Sequence, residues 1–184
     1  MIQEELKKQT TVAHQQLEKL VVSRLKNIRS NEDYVKLLRI FYAYFSQLEE
    51  VIRPYISAEI LPDYAERRHA ISLADDIACF GASLTGLLEV PVPSIDNPVK
   101  ALGALYVMEG SVMGGPIIVQ ILAKYGITKG TSFFSGYGPE TGKKWTAFID
   151  ALNANLSEEL YPDVINAAIE TFSRFADTFE YSVE

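Results

Sequence analysis

The sequence predicts a single all-α domain. Apolar residues recur at spacings of three and four over most of its 184 residues, and no convincing strand-like alternation interrupts them. Glycine and proline are concentrated in a few short segments that separate the apolar repeats. Hydrophobic residues make up 48% of the chain and charged residues 22%, an ordinary globular balance. We therefore expect one domain over residues 1–184 that buries its own core.

The composition excludes several classes of protein. A single cysteine, Cys79, excludes a disulfide framework and a multi-cysteine metal site, and it fits a reducing cytosol. The net charge of −7 argues against a nucleic-acid partner. No apolar run is judged long enough to span a bilayer, and the N-terminus lacks the apolar core of a signal peptide. We expect a cytoplasmic protein without a membrane partner.

The first half of the chain predicts three helices. The first carries an apolar face that includes Leu6 and Leu17. A capping box at Ser30 precedes a second helix that ends near Pro54. A third segment, around Arg68 to Phe80, stops near Gly81.

The second half begins with a glycine-bearing helix. Asn97 is its predicted N-cap, Pro98 occupies its first position, and it ends near Tyr125. The stretch 126–142 is too rich in glycine for a helix and predicts a turn-rich connection. Two further helices fit Lys143 to Leu160 and Pro162 to Glu180.

The glycine-bearing helix has an unusual interior. Gly103, Gly110 and Gly114 are spaced by seven and four, so they form a stripe along one face, and Ser111 and Gly115 flank it. Each interior glycine costs about 0.5–1 kcal/mol relative to alanine. Two explanations remain open: close packing against another helix, or a flat ligand lying against bare backbone. Pro116 adds the possibility of a kink over that ligand.

His14 on the first helix favours the second explanation, in which the glycine stripe lies against a ligand. Its neighbours Thr10 and Leu17 predict that its face points toward the core, where a lone histidine is more often a hydrogen-bonded core residue. Glu18 lies one turn later, where its carboxylate can accept the Nδ1 proton and leave Nε2 free for a metal. Lys7 lies two turns earlier, within reach of an anionic group, although an ordinary solvated lysine is the simpler interpretation.

Only one protein ligand is available to such a metal. His69 lies among charged residues and is expected to be exposed. One histidine is too few for structural zinc, which takes about four ligands. It suits a metal that brings most of its own coordination sphere, as haem iron does.

Together these residues resemble the haem oxygenase family, particularly its short bacterial members. The resemblance covers nearly the whole chain, and its most specific piece is the run LYVMEGSVMGG, with AHQQLE at the matching separation upstream. Further matching segments are LKKQTTVAHQQLE, ALGALYVMEGSVMGG, GKKWTAFIDAL and AAIETFSRF.

The resemblance implies a fold in which haem lies between the first, proximal helix and a kinked, glycine-rich distal helix. It implies that His14 ligates the haem iron, that Glu18 orients His14, and that Lys7 meets a haem propionate. The positions that match the distal face are Gly110, Ser111, Gly114 and Gly115.

The implied activity is oxidative cleavage of haem, which is both cofactor and substrate, to biliverdin, carbon monoxide and ferrous iron. It uses O2 as co-substrate. The chain has no flavin or dinucleotide fingerprint, so electrons would come from a separate ferredoxin or reductase.

The chain also departs from the family pattern. Ser111 stands where many animal-type members have aspartate, and Pro116 where a donor-bearing residue is more usual. Thr146 and Asp150 fall where basic propionate contacts occur, and an aspartate would repel a propionate. Either Lys143, Lys144 or Arg174 replaces these contacts, or haem lies rotated in its pocket, and the sequence leaves both open.

Two alternatives follow from these features. A non-catalytic haem or bilin carrier of the same fold would account for Asp150 and Pro116. A helical interaction module would use the glycine face only for packing. The cleaved meso carbon, the oligomeric state and the physiological role, whether iron acquisition or bilin supply, are left open.

Overall fold

The computed structural model describes residues 1–181, so the last three residues of the expected domain lie outside the described residues. Within the described range the chain is helical and contains no strand, which confirms the all-α prediction. The α-helices are α1 (Ile2–Lys26), α2 (Asn31–Ile52), α3 (Ile71–Ala78), α4 (Pro98–Lys124), α5 (Ser132–Ser135), α6 (Thr141–Asn155) and α7 (Tyr161–Tyr181). Short 3-10 turns occur at Arg53–Tyr55, Tyr64–Glu66, Gly138–Glu140 and Glu158–Leu160.

Several helix ends lie where the sequence predicts them. The Ser30 hydroxyl accepts a hydrogen bond from the Asp33 amide at 3.2 Å, and the Asn97 side chain caps α4 by accepting from the Lys100 amide at 3.0 Å. Pro98 follows as the first residue of α4. These contacts satisfy amides that the first turn of a helix leaves without partners.

Two predicted helix bounds were wrong. The third helix begins at Ile71 rather than near Arg68, so Arg68 belongs to the preceding loop. The helix after the connection ends at Asn155 rather than Leu160. It stops there because Leu156 takes an extended conformation that places its side chain in the core.

The connection over 126–142 was expected to contain no helix, yet it holds α5. A carboxylate from α3 stabilises this single turn: Asp76 accepts hydrogen bonds from the amides of Ser132 at 3.0 Å and Phe133 at 2.9 Å. Such a cap comes from a residue more than 50 positions away, so local composition does not reveal it.

The core consists mainly of aromatic and aliphatic side chains from α2, α4, α5 and α7. The Phe41 ring meets the rings of Phe134 and Phe175 edge-on at centroid distances of 5.1 and 5.0 Å. Helices α4 and α7 approach closely at Gly103, where an added Cβ would lie 2.4 Å from the Val164 carbonyl oxygen. Both α1 and α4 pack on α7, so α7 is the common support of the two helices that carry the candidate site.

Helix α4 has the bounds that the sequence predicts, and it contains a long apolar stretch. It has 27 residues with a mean hydropathy of 1.4 in its most apolar window, which meets the length and composition of a membrane-spanning helix. However, 56% of that window is buried inside the fold, and this burial accounts for its apolar character. The helix continues without interruption through Pro116.

Candidate haem-binding site

His14 lies on the solvent-facing side of α1, not toward the core as its neighbours predicted. Its imidazole packs edge-on against the ring of Phe172 on α7, with a centroid distance of 5.5 Å and an interplanar angle of 89°. Thr10 and Leu17 do face the core, and His14 occupies the boundary between that apolar face and solvent. The ring is therefore held on one side by Phe172 while its nitrogens remain accessible.

Glu18 is exposed on the same side of α1, one turn beyond His14. It borders a shallow surface groove together with Gln15 and Val22, all contributed by α1. Among the described residues, no hydrogen bond joins Glu18 to His14. That Glu18 orients the imidazole stays a prediction, as does the contact between the exposed Lys7 and an anionic group.

The glycines of α4 divide into two groups. A Cβ added at Gly114 would meet nothing within 4 Å, and one at Gly110 would meet only the Trp145 ring, at an ordinary distance of 3.7 Å. At Gly115 an added Cβ would lie 1.8 Å from the Phe134 carbonyl oxygen. The packing explanation is therefore correct for Gly103 and Gly115, whereas bare backbone is presented at Gly110 and Gly114.

This division corrects the expected distal face. Gly115 is buried against α5 and cannot present its backbone to a ligand on the open side. Ser111 is turned toward the loop before α3, where its hydroxyl accepts a hydrogen bond from Arg68 Nη2 at 2.5 Å. The open face of α4 instead consists of Gly110 and Gly114 with the exposed side chains of Met113 and Ile117.

Helix α1 carries His14 and helix α4 carries Gly110, and a buried contact joins these two helices. Tyr106 on α4 makes a polar contact with Thr10 on α1, and both residues are buried. His14 lies one turn after Thr10, and Gly110 lies one turn after Tyr106. His14 and Gly110 therefore each lie one helical turn beyond this buried contact, and the His14 side chain is exposed.

The structure removes two of the candidates for binding a propionate. Lys144 forms an ion pair with Asp63 at 2.7 Å. Arg174 forms ion pairs with Glu170 and Asp177 on its own helix. Burial raises the pKa of the Tyr44 hydroxyl on α2, and the positive charge of Arg174 lowers it by a smaller amount. Since Arg174 is two residues from Phe172, the two side chains point about 200° apart around α7, and Arg174 faces away from His14.

Thr146 and Asp150, which fall where the family pattern has basic residues, carry no positive charge. The Thr146 hydroxyl donates to the Gly142 carbonyl within α6, and Asp150 is exposed. Lys143 is largely exposed and lies 3.4 Å from Glu140. Lys7 and Lys143 are thus the members of the predicted set that remain accessible.

His69 is not exposed as expected but half-buried. Its Nδ1 lies 2.6 Å from a Glu49 carboxylate oxygen, and its Nε2 lies 3.0 Å from the Tyr64 carbonyl oxygen. The hydrogen bond to Glu49 is the main reason that the pKa of His69 is raised. Both ring nitrogens are engaged, so His14 is the histidine with free nitrogens.

A buried charge network behind α4 was missed by the sequence analysis. Arg67 Nη1 donates to Glu109 at 2.6 Å and Nε donates to Asp63 at 2.8 Å, while the Tyr137 hydroxyl donates to Glu109 at 3.1 Å. Burial alone would raise the pKa of Asp63, but hydrogen bonds from Arg67 and Lys144 hold it below its ordinary value. The available signal was Glu109, a lone charge within an apolar helix, which must find a partner when buried.

These residues fit haem better than a bare metal ion. Within residues 1–181 there is no group of three His, Cys, Asp or Glu side chains that could hold a metal. The accessible imidazole lies on α1, and α4 carries glycine backbone at Gly110 and Gly114, where a Cβ could be added without a clash. That combination suits an iron whose other equatorial ligands belong to a flat macrocycle.

Comparisons with known proteins agree with this assignment. A family model described as "Heme oxygenase" matches residues 1–181. A protein named "Heme oxygenase" from Xanthomonas campestris pv. campestris (strain 8004) is 26% identical over 147 residues, which cover 78% of this chain and 87% of that protein.

A solved structure shows the same fold. The NO- and CO-bound heme oxygenase from Neisseria meningitidis superposes with a TM-score of 0.82 at 23% identity, covering 99% of this chain and 92% of that one. Because the family model spans the chain almost from end to end, the chain belongs to the heme oxygenase family.

Proposed function

We propose that this enzyme cleaves haem oxidatively to biliverdin, carbon monoxide and ferrous iron, in the cytoplasm, with O2 as co-substrate. The observation that supports the proposal is an accessible His14 imidazole on α1 together with a Gly110 backbone on α4 that only the Trp145 ring approaches. Membership of the heme oxygenase family supports haem as the substrate.

Bound haem supplies the redox-active iron and also the carbon skeleton that is oxidised. His14 would ligate the haem iron, and Phe172 limits rotation of its ring by packing edge-on. Glu18 would accept the proton of the other ring nitrogen once its side chain rotates toward His14, which would fix the tautomer. Lys7 would bind a propionate through its exposed ammonium group.

Gly110 and Gly114 would let the α4 backbone come close to bound haem and leave room for a small ligand only. The side chain nearest Gly110 is the Trp145 ring, which carries no proton suited to acid catalysis. The open face of α4, formed by Gly110, Met113, Gly114 and Ile117, thus supplies no histidine or arginine that would act as in a peroxidase. The group to be oxidised would then be the haem itself.

The electrons come from a separate ferredoxin or reductase. This part of the proposal rests on the lack of a flavin or dinucleotide fingerprint in the sequence. Replacing one electron donor by another is expected to change the rate without changing the product.

One absorbance experiment tests the function. Haem is titrated into the purified protein, reductant is added in air, and the spectrum is followed, with carbon monoxide trapped by added myoglobin. We expect a saturable Soret band that decays as a broad red verdin band appears. A Soret band that persists with chemical reductant and with ferredoxin and reductase would instead identify a carrier, and the absence of a Soret band would overturn haem binding itself.

A further inference from the structure

Two consecutive arginines, Arg67 and Arg68, form hydrogen bonds with α4 on either side of Gly110. Arg67 Nη1 donates to the Glu109 carboxylate at 2.6 Å, and Arg68 Nη2 donates to the Ser111 hydroxyl at 2.5 Å. Gly110 is the residue between these two contacts. The loop before α3 thus fixes the turn of α4 that carries the exposed backbone.

The two guanidinium groups differ in how their charge is compensated. Arg67 is paired with the carboxylates of Glu109 and Asp63. Arg68 binds only neutral oxygens, the carbonyls of Phe133 at 3.1 Å and Met108 at 2.7 Å and the Ser111 hydroxyl. Within residues 1–181 no carboxylate lies at ion-pair distance from Arg68.

The environment of Arg68 is also incompletely satisfied. Its Nε is buried and has no hydrogen-bond partner among the described residues, and its guanidinium carbon lies 3.8 Å from the centre of the Phe133 ring. Three cations in this cluster, Arg67, Arg68 and Lys144, face two carboxylates, Asp63 and Glu109. One positive charge is left over behind the Gly110 turn.

We propose that Arg68 is a positioning residue of the distal face. By binding Ser111 and the Met108 carbonyl, it holds an uncompensated positive charge behind Gly110, so that the pocket favours an anionic ligand over a neutral ligand of similar size. The inference rests on the proposed haem position between α1 and α4.

The physical basis is Coulomb attraction between the Arg68 guanidinium and an anionic ligand on the other side of α4. A charge that is held by three acceptors cannot move away or become hydrated, so its field reaches the space in front of Gly110 with little screening. A neutral ligand gains nothing from that field. The ratio of anionic to neutral ligand affinity therefore reports the charge, whereas a purely structural role for Arg68 would change both affinities together.

The test compares azide binding to the ferric haem complex with carbon monoxide binding to the reduced complex. Arg68→Met is expected to weaken azide binding by about tenfold at unchanged carbon monoxide affinity, and Arg68→Lys is expected to restore most of the azide affinity. Arg39→Met is the matched control for net charge, since Arg39 binds carbonyl oxygens of Ser83 and Thr85 away from α4. It is expected to change neither affinity.

A second variant covers the case in which Arg68→Met does not fold. Ser111→Ala removes one acceptor of Arg68 while Met108 and Phe133 remain, and we expect a smaller loss that is still confined to azide. Equal losses of azide and carbon monoxide affinity, or unchanged azide affinity in both variants, would overturn the inference. A wild-type protein with no Soret band would overturn the proposed function, and this inference with it.

Discussion

Tyr106 on α4 contacts Thr10 on α1, and this buried contact joins the two helices that carry the candidate site. Burial raises the pKa of the Tyr106 hydroxyl, and Thr10 partly offsets that effect. The buried contact lies one helical turn before His14 and one turn before Gly110. His14 and Gly110 are therefore placed by this contact together with the packing of both helices on α7.

Replacing His14 by alanine is expected to abolish iron ligation while leaving the fold intact, because the side chain is exposed and its ring packs edge-on against Phe172 at a centroid distance of 5.5 Å. The absorbance and electron paramagnetic resonance spectra of the haem complex should lose the histidine signature, and added imidazole should restore it. His69→Gln, at the other of the two histidines, is the control and should keep the spectrum. A verdin yield in His14→Ala equal to that of the wild type would refute the assignment.

Gly114 and Gly115 are adjacent but should respond oppositely to alanine. Gly115→Ala places a Cβ against the Phe134 carbonyl and is expected to lower the free energy of unfolding by about 1–3 kcal/mol. Gly114→Ala meets open space and is expected to raise it by about 0.5–1 kcal/mol, the helix preference of alanine over glycine. Denaturant unfolding of the haem-free protein measures both, and a stabilised Gly115→Ala would contradict the packing described here.

Gly110→Leu is expected to block the small-ligand space, because the side chain extends from the open face of α4 beside Trp145. Carbon monoxide affinity and verdin yield should both fall strongly. Gly110→Ala is the matched variant. Alanine has the higher helix preference and its Cβ makes an ordinary contact with Trp145, so this variant should be as stable as the wild type. It should lose less carbon monoxide affinity and less verdin yield than Gly110→Leu. Wild-type verdin yield in Gly110→Leu would be evidence against the bare-backbone account.

Lys7 and Lys144 should have different roles. Lys7→Met is expected to weaken haem affinity by up to about fivefold, corresponding to about 0.2–1 kcal/mol for an exposed ion pair, without changing the stability of the haem-free protein. Lys144→Met breaks the ion pair with Asp63 and should lower that stability instead. Haem titration and thermal unfolding separate the two effects, and the reverse assignment would show that Lys144 is the propionate ligand.

The contact between His69 and Glu49 should make stability depend on pH. The pKa of His69 is raised in the folded state above its ordinary value of about 6.5. Its stabilising contribution is therefore fully present below about pH 6.5 and is lost as the pH rises through the folded-state pKa. The difference in melting temperature between wild type and His69→Gln should shrink across that range, and a constant difference would mean that the charge of His69 contributes nothing.

The long helices and their caps at Ser30 and Asn97 could be predicted because each depends on local spacing. The roles of His14 and Gly110 follow from spacing and a family motif and stay predictions. The exposure of His14 and the burial of Gly115 could not be predicted, because both depend on which neighbour packs against a given face. The cap on α5 from Asp76 and the pairing of Arg67 with Glu109 join residues far apart in the chain. Single-sequence patterns contain no information about such pairings.

The two helices that carry the candidate site, α1 and α4, are held in place by different numbers of neighbouring elements. Helix α4 is tied to the loop before α3 by Arg67 and Arg68 and packs closely on α7 at Gly103. Helix α1 rests mainly on α7, with little contact to α4 beyond the region of Thr10. Slow opening motions should therefore occur chiefly in α1, and backbone amides near His14 should exchange with deuterium sooner than those around Gly110. Release of a bulky, opened product would then be governed by the mobility of the proximal helix.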